Sequence, residues 1–136
     1  MVTPTGIHHV NFIVRDLDEA MPRFEKMLGL NPFEVVDHAL RGARVARTRL
    51  GDSWFVLVAP YDSESVPGQF LAEHGEGFFL LSLASSSVAN PRDGILDWKV
   101  EDLGELHGAQ FQLTEDRKQA GPLTPKCSMP RRSTED

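Results

Sequence analysis

Gly6-Ile7-His8-His9-Val10-Asn11-Phe12-Ile13-Val14, running straight into Arg15-Asp16-Leu17-Asp18-Glu19-Ala20, is the stretch on which the fold turns. Ile7, Val10, Phe12, Ile13 and Val14 make a mostly apolar run of strand length, rich in β-branched and aromatic side chains. Asp16 is placed to accept the free backbone N–H groups of a following helical turn, and Glu19 to reach back to it. Leu17, Met21, Phe24 and Leu28 then recur on one helical face, and Gly29 suits the left-handed residue that ends a helix. The unit is a strand, a short turn and an amphipathic helix, with a histidine pair early in the strand.

Outward from this unit the chain turns at Asn31-Pro32. Phe33 to Val36 reads as a second strand. Arg44 to Leu50 reads as a third, with Val45, Arg47 and Arg49 alternating with Arg44, Ala46 and Thr48. Gly51-Asp52 is a two-residue hairpin signal. Trp54 to Ala59 is an apolar β run stopped by Pro60. Together these elements form a βαβββ module. Tyr61 to Gly68 reads as a loop, and Gln69 to Glu73 as a short helix with Phe70 and Leu71 inward. Phe78 to Ala84 is another apolar strand. Ile95, Trp98, Leu103 and Leu106 suggest a helix ended by Gly108. Gln110 to Thr114 alternates again.

Gly77-Phe78-Phe79-Leu80-Leu81-Ser82-Leu83 echoes Gly6 to Phe12, and the echo pairs Leu80 with His9. The expected fold is therefore α+β, a pair of βαβββ modules with the second truncated. The divisions are 1–60 for the first module, 61–114 for a linker and an incomplete second module, and 115–136 for a polar tail. That tail carries prolines and charges with almost no apolar alternation, a composition that buries little surface.

The chain has 136 residues, is 40% hydrophobic and 25% charged, and so has the make-up of an ordinary globular domain. A net charge of −6 argues against general affinity for nucleic acid or anionic membrane. Cys127 stands alone, so no internal disulfide is expected, which fits a reducing compartment. No apolar run approaches the ~18 residues of a membrane span, and Met1 to Thr5 has no signal-peptide character. A soluble, cytoplasmic protein is expected. No Ser-His-Asp or Cys-His arrangement and no Gly-rich phosphate loop is present.

Ile7-His8-His9, Val14-Arg15-Asp16-Leu17-Asp18-Glu19-Ala20, Leu28-Gly29-Leu30, Leu50-Gly51-Asp52, Ala59-Pro60, Ser65, Phe70-Leu71 and Gly75-Glu76-Gly77 together carry a likeness. The chain resembles the vicinal oxygen chelate superfamily, the glyoxalase and dioxygenase fold, and within it methylmalonyl-CoA epimerase and glyoxalase-like proteins. The resemblance implies a cup of paired modules that holds a divalent metal. The metal draws charge from a substrate carbonyl, so that a carboxylate can move a neighbouring proton. It implies ligands from the first and last strands of each module. His9 matches the first. Val56 stands where the second belongs and Leu80 where the third belongs, and the strand for the fourth is expected to be missing. Neither valine nor leucine has a lone pair to give.

The candidate site residues follow. His9 is a metal ligand in the sharp reading and a hydrogen-bonded strand histidine in the bland one; single histidines do not hold divalent metals. His8 is expected on the opposite face. His38, His74 and His107 fall in expected loops or helix ends. Asp37 is a candidate catalytic base. Asn11, Arg47, Trp54, Val56, Phe79 and Leu80 are candidate ligand-binding residues, with core packing the alternative for the apolar ones. Arg44, Arg47 and Arg49 would meet an acidic ligand, or else form a solvated strand face.

Two functional classes stand open. In one, the chain is a small-molecule-binding module with no metal cofactor. In the other, it is a lyase or epimerase acting on a carbonyl or acyl thioester through a rebuilt divalent-metal site. A degenerate protein without a ligand is the third, weaker reading. The expected partners are a small-molecule ligand and a second copy of the chain, since an incomplete module leaves an open sheet edge.

Overall fold

The computed structural model describes residues 3–38, 42–94 and 98–116, the side chains of Asp37 and His38 excepted. β1 (Gly6–Ile13) feeds α1 (Leu17–Leu28) as the sequence predicts. The Asp16 backbone is extended and its carboxylate accepts the Glu19 N–H at 3.2 Å. Gly29 closes the helix in the left-handed conformation, φ 70°. β2 (Glu34–His38), β3 (Ala43–Leu50) and β4 (Ser53–Pro60) complete the first module, and the Gly51-Asp52 turn closes the β3–β4 hairpin with Leu50 opposite Ser53. Then come α2 (Val66–His74), β5 (Gly77–Ser85), β6 (Arg92–Asp93), β7 (Lys99–Leu106) and β8 (Ala109–Glu115).

The strands join in one mixed sheet of order β2-β3-β4-β1-β5-β8-β7-β6. β1 pairs parallel with β4, and β5 pairs parallel with β8. The two modules meet where β1 and β5 run antiparallel. This is the α+β, glyoxalase-like arrangement of paired modules.

Each face of the first module has its own core. On one, Leu17, Ala20, Met21 and Phe24 of α1 pack on Val10, Phe12, Phe55 and Leu57. On the other, the cup face, Ile13, Val45, Val56, Val58, Phe79 and Leu80 lie under Phe70 and Leu71 of α2, with Trp54 and Trp98 beside them. β4 is buried on both sides, which is why Trp54 to Ala59 carries no polar alternation.

Three expectations are corrected. Lys99 to Leu106 is strand β7, not a helix. Its apolar spacing mimics a helix, but Leu103 and Leu106 are 52% and 62% exposed, so burial never imposed that period. The register slips between Asp102 and Gly104, and Gly104 takes φ 116°. Second, the last strand of the second module is present as β8. The module is shortened by its helix instead: among the described residues, none lies between β5 and β6. Third, α2 begins at Val66, within the expected loop. Ser65 Oγ accepts the Gly68 N–H at 3.1 Å, and Pro67 in the first turn needs no hydrogen-bond partner there. β8 runs to Glu115, and Asp116 donates its N–H to the Ser85 carbonyl at 2.7 Å. The rest of the expected tail, residues 117–136, lies outside the described residues. Among the described residues no helix is long and apolar enough to cross a membrane.

Candidate functional site

The cup face can be read row by row across the sheet, because residues paired in register share a face. Arg49, Trp54, His9, Ser82 and Gln112 make one row. Arg47, Val56, Asn11, Leu80 and Gln110 make the next. Val45, Val58 and Ile13 belong to a third row, over which α2 lies.

At His9 the cup is occupied by aromatic rings. Trp98 stacks on His9 with centroids 4.6 Å apart and planes 21° from parallel. Trp54 lies 5.9 Å from Trp98. The Arg47 guanidinium sits 4.0 Å from the Trp54 ring and 5.2 Å from the Trp98 ring, and that of Arg49 lies 4.7 Å from Trp54. Arg47 also pairs with Glu34 at 3.4 Å; its side chain is 12% exposed and that of Glu34 63%.

His8 does not face away. The β1–β5 register shifts between Ile7 and His9, and the irregularity re-aims one side chain. His8 Nδ1 comes within 2.9 Å of His9 Nδ1, and its ring meets Trp98 edge-on at 4.7 Å. The arginine row also divides. Arg44 lies on the α1 side, where it pairs with Asp18 at 3.6 Å. Of these three, Arg47 and Arg49 reach the cup.

Asn11 is 5% exposed and its Oδ1 has no hydrogen-bond partner. Its neighbours in register, Val56 and Leu80, have nothing to offer it. Phe79 packs edge-on against Phe70 at 5.0 Å in the core. The Asp37 backbone pairs with Arg44 in β2, and its side chain lies outside the described residues, as does that of His38. His74 ends α2, its ring 4.9 Å from Phe70. His107 is in the β7–β8 turn at φ 53°, not at a helix end.

Among the described residues the donors do not fit a divalent metal. His9 Nδ1 is engaged with His8, and its ring face is covered by Trp98. Val56 and Leu80 are apolar. β8 turns Gln110, Gln112 and Thr114 toward the shared face, and the Gln112 amide is bonded to Asp102 at 3.2 Å. Among the described residues no three His, Cys, Asp or Glu side chains come together to hold an ion.

Trp98 and His8 are the cup residues that the sequence placed elsewhere, in a helix and on the opposite face. The one signal for Trp98 was its rarity, since the chain has two tryptophans. Nothing in the local pattern aims it at His9.

Residues 8–97 match the sequence pattern of the Glyoxalase/Bleomycin resistance protein/Dioxygenase superfamily. The chain belongs to that superfamily. No curated protein matches this superfamily member in sequence. Its fold is similar to a variant of Streptomyces coelicolor methylmalonyl-CoA epimerase in complex with 2-nitronate-propionyl-CoA. The TM-score is 0.75 and the identity 22%, over 82% of this chain and 97% of that one. It is also similar to methylmalonyl-CoA epimerase from Mycobacterium tuberculosis, with TM-score 0.72 and 23% identity over 93% and 95% of the two chains. A hypothetical protein from Bacillus halodurans gives TM-score 0.72 at 20% identity, over 85% and 97%. At these identities the likeness is one of fold.

Proposed function

We infer that this superfamily member is a metal-free small-molecule-binding module that uses the cup between its two modules. The observation that carries the reading is the make-up of the cup around His9. A divalent ion needs three or four donors to offset the loss of its water. Here His9 is stacked under Trp98, and Val56 and Leu80 are hydrocarbon. Without that Lewis acid the enolate chemistry of an epimerase has no stabilised intermediate. What the cup keeps is a recognition surface of indole faces, two guanidinium groups and an orphan amide.

A second copy of the chain belongs to the same proposal. The α1 helix covers its side of the first module, but the second module has no such helix among the described residues. Phe78 of β5, edge-on to Phe12, and Leu103 of β7 are exposed apolar residues of that module, and pairing about a two-fold axis is the commonest way to cover such surface.

The test is the metal content of purified protein after equilibration with cobalt, nickel or zinc, measured by mass spectrometry. Background metal, together with a ligand-induced change in tryptophan emission, is the expected result. Both tryptophans of the chain are in the cup, so emission reports on it directly. Stoichiometric metal would overturn the reading in favour of the lyase or epimerase class.

A further inference from the structure

The paired modules differ in one layer. α1 covers β1 and β4 of the first module through Val10, Phe12, Phe55 and Leu57. The matching parallel pair in the second module is β5 and β8. Residues paired in register share a face, so Leu81 lies beside Val10, Phe78 beside Phe12 and Phe111 beside Leu81, all on the side of the sheet that α1 occupies. Ser86 to Pro91 join β5 to β6, and none of them is helical. The counterpart of α1 is therefore missing among the described residues, and its apolar floor is part-open. Phe78 is 39% exposed, Leu81, Leu83 and Phe111 are half-buried, and Leu106, on this side with its partner Ala109, is 62% exposed. Gly104 stands opposite Phe111 and adds no side chain, which keeps the patch flat.

Two neighbours bound the patch. One is the flank of α1. Asp18 pairs with Arg44 of β3, so the opposite flank of the helix, with Arg23 and Met27, is turned toward β5. Met27 is 84% exposed, and Lys26 beside it has no ion pair among the described residues. The other is the rim of the sheet. Among the described residues β6 pairs with Lys99 and Val100 alone, which leaves β7 from Glu101 to Leu106 as an open edge carrying Glu101, Asp102 and Glu105.

These features fit a second copy of the chain. Stacked sheets lie about 10 Å apart, close to the diameter of a helix with its side chains. A sheet laid on the bare patch is therefore level with α1. With a two-fold axis over the patch, the β7 edge of each copy runs beside α1 of the other. Leu106 then meets Met27 and the acidic rim meets Lys26, once on each side of the axis.

We propose that the chain dimerises patch on patch through the bare β5–β8 side of its second module, with Met27 and Lys26 of one copy against Leu106 and Glu101 of the other. This rests on the two-copy reading above and names the face.

The experiment is sedimentation equilibrium of the full chain over a concentration series, each variant being checked for folding by circular dichroism. The parent is expected to be dimeric at micromolar concentration. Met27→Glu and Leu106→Glu, both at exposed positions, are each expected to raise the dimer Kd at least about tenfold. Lys26→Glu is expected to raise it at least about threefold, and Lys26→Glu with Glu101→Lys to return it to within about twofold of the parent. Val66→Glu, at an exposed position of α2, is expected to leave it within about twofold. A dimer that survives Met27→Glu and Leu106→Glu, or that Val66→Glu breaks, overturns the face and leaves the two-copy reading standing. Failure of the double charge reversal to restore the dimer overturns the contact between Lys26 and Glu101. A parent that is monomeric, alone and when ended at Asp116, overturns the face and the two-copy reading together. A chain ended at Asp116 that dimerises where the parent does not gives the patch to residues 117–136 and overturns the proposal.

Discussion

Trp98 lies flat on His9, ring centroids 4.6 Å apart, and so covers the imidazole that the resemblance assigns to a metal. The same indole meets His8 edge-on and lies beside Trp54 under the Arg47 guanidinium. A ring held by four neighbours fixes the shape of the cup at this end. α2 fixes it at the other end through Phe70 and Leu71.

Removing that ring should therefore be felt. Trp98→Ala is expected to lower stability by about 2 kcal/mol in urea unfolding. This is less than the roughly 3–5 kcal/mol of a fully buried tryptophan, because Trp98 is half-buried. Trp98→Phe keeps a stacking face and should recover most of the loss. A loss under about 0.5 kcal/mol, the scatter of ordinary surface substitutions, would mean that the stack is not formed in solution.

His9→Ala isolates the metal question. With one nitrogen already engaged by His8, the imidazole supplies no free donor set. Metal content should stay at background in both parent and variant. Epimerase activity on a 2-substituted acyl thioester should be undetectable with added cobalt. Stoichiometric metal in the parent that vanishes in His9→Ala would contradict this.

The fold was legible where local signals and burial agree. Asp16, the helical apolar face of α1 and Gly29 all specify one helix, and the structure has it. The all-apolar run of β4 read as a strand because cores lie on both of its faces. β7 was misread because its apolar residues are exposed and its alternation slips at Gly104. Gly108 read as a helix stop. It is the second residue of a hairpin turn in which His107 and Gly108 both take positive φ, 53° and 91°. Within the site, His9, Asn11, Arg47, Trp54, Val56 and Leu80 do share one face, because strand periodicity predicts faces well. Trp98 comes from the β6–β7 connection, where the apolar spacing points to a helix instead, and the His8 orientation depends on a bulge. Neither orientation can be read from the local pattern.

The second copy of the chain can be tested by sedimentation. Phe78 of β5 is 39% exposed and meets Phe12 edge-on at 5.6 Å. A dimer is expected at micromolar concentration, and Phe78→Glu should shift it to monomer without unfolding it. A monomeric parent would end this proposal.

Asp93 and Lys99 face each other across the β6–β7 pair and form an ion pair. The hydrogen bond from Lys99, and then its charge, hold the Asp93 carboxyl below its ordinary pKa. A depressed carboxylate pKa stabilises the folded state above the unfolded-state value, and that contribution is lost as pH falls through the folded-state value. Because the group is exposed, the effect belongs in a titration curve. The NMR midpoint of Asp93 should lie below that of an ordinary aspartate, and Lys99→Met should return it. An unchanged midpoint in Lys99→Met would remove Lys99 as the cause.

Ser82 and Thr114 join β5 to β8 through a 2.6 Å hydroxyl–hydroxyl hydrogen bond, both residues being wholly buried. Thr114→Val keeps the shape but strands the Ser82 hydroxyl, and Ser82→Ala strands the threonine. Each single change is expected to cost about 1–3 kcal/mol, the penalty for an unsatisfied buried group. The double change removes both hydroxyls and should cost less than the sum of the singles by about 1 kcal/mol or more, the coupling expected of residues in contact. Strict additivity in urea unfolding would show that the hydroxyls do not bond. The same contact sets the boundary for shortening the chain. A protein ending at Asp116 keeps the whole of β8 and the Asp116 N–H bond to Ser85, and its melting temperature should stay within about 5 °C of the parent. One ending at Leu113 loses Thr114, leaves Ser82 stranded against an incomplete β8, and should melt well below that.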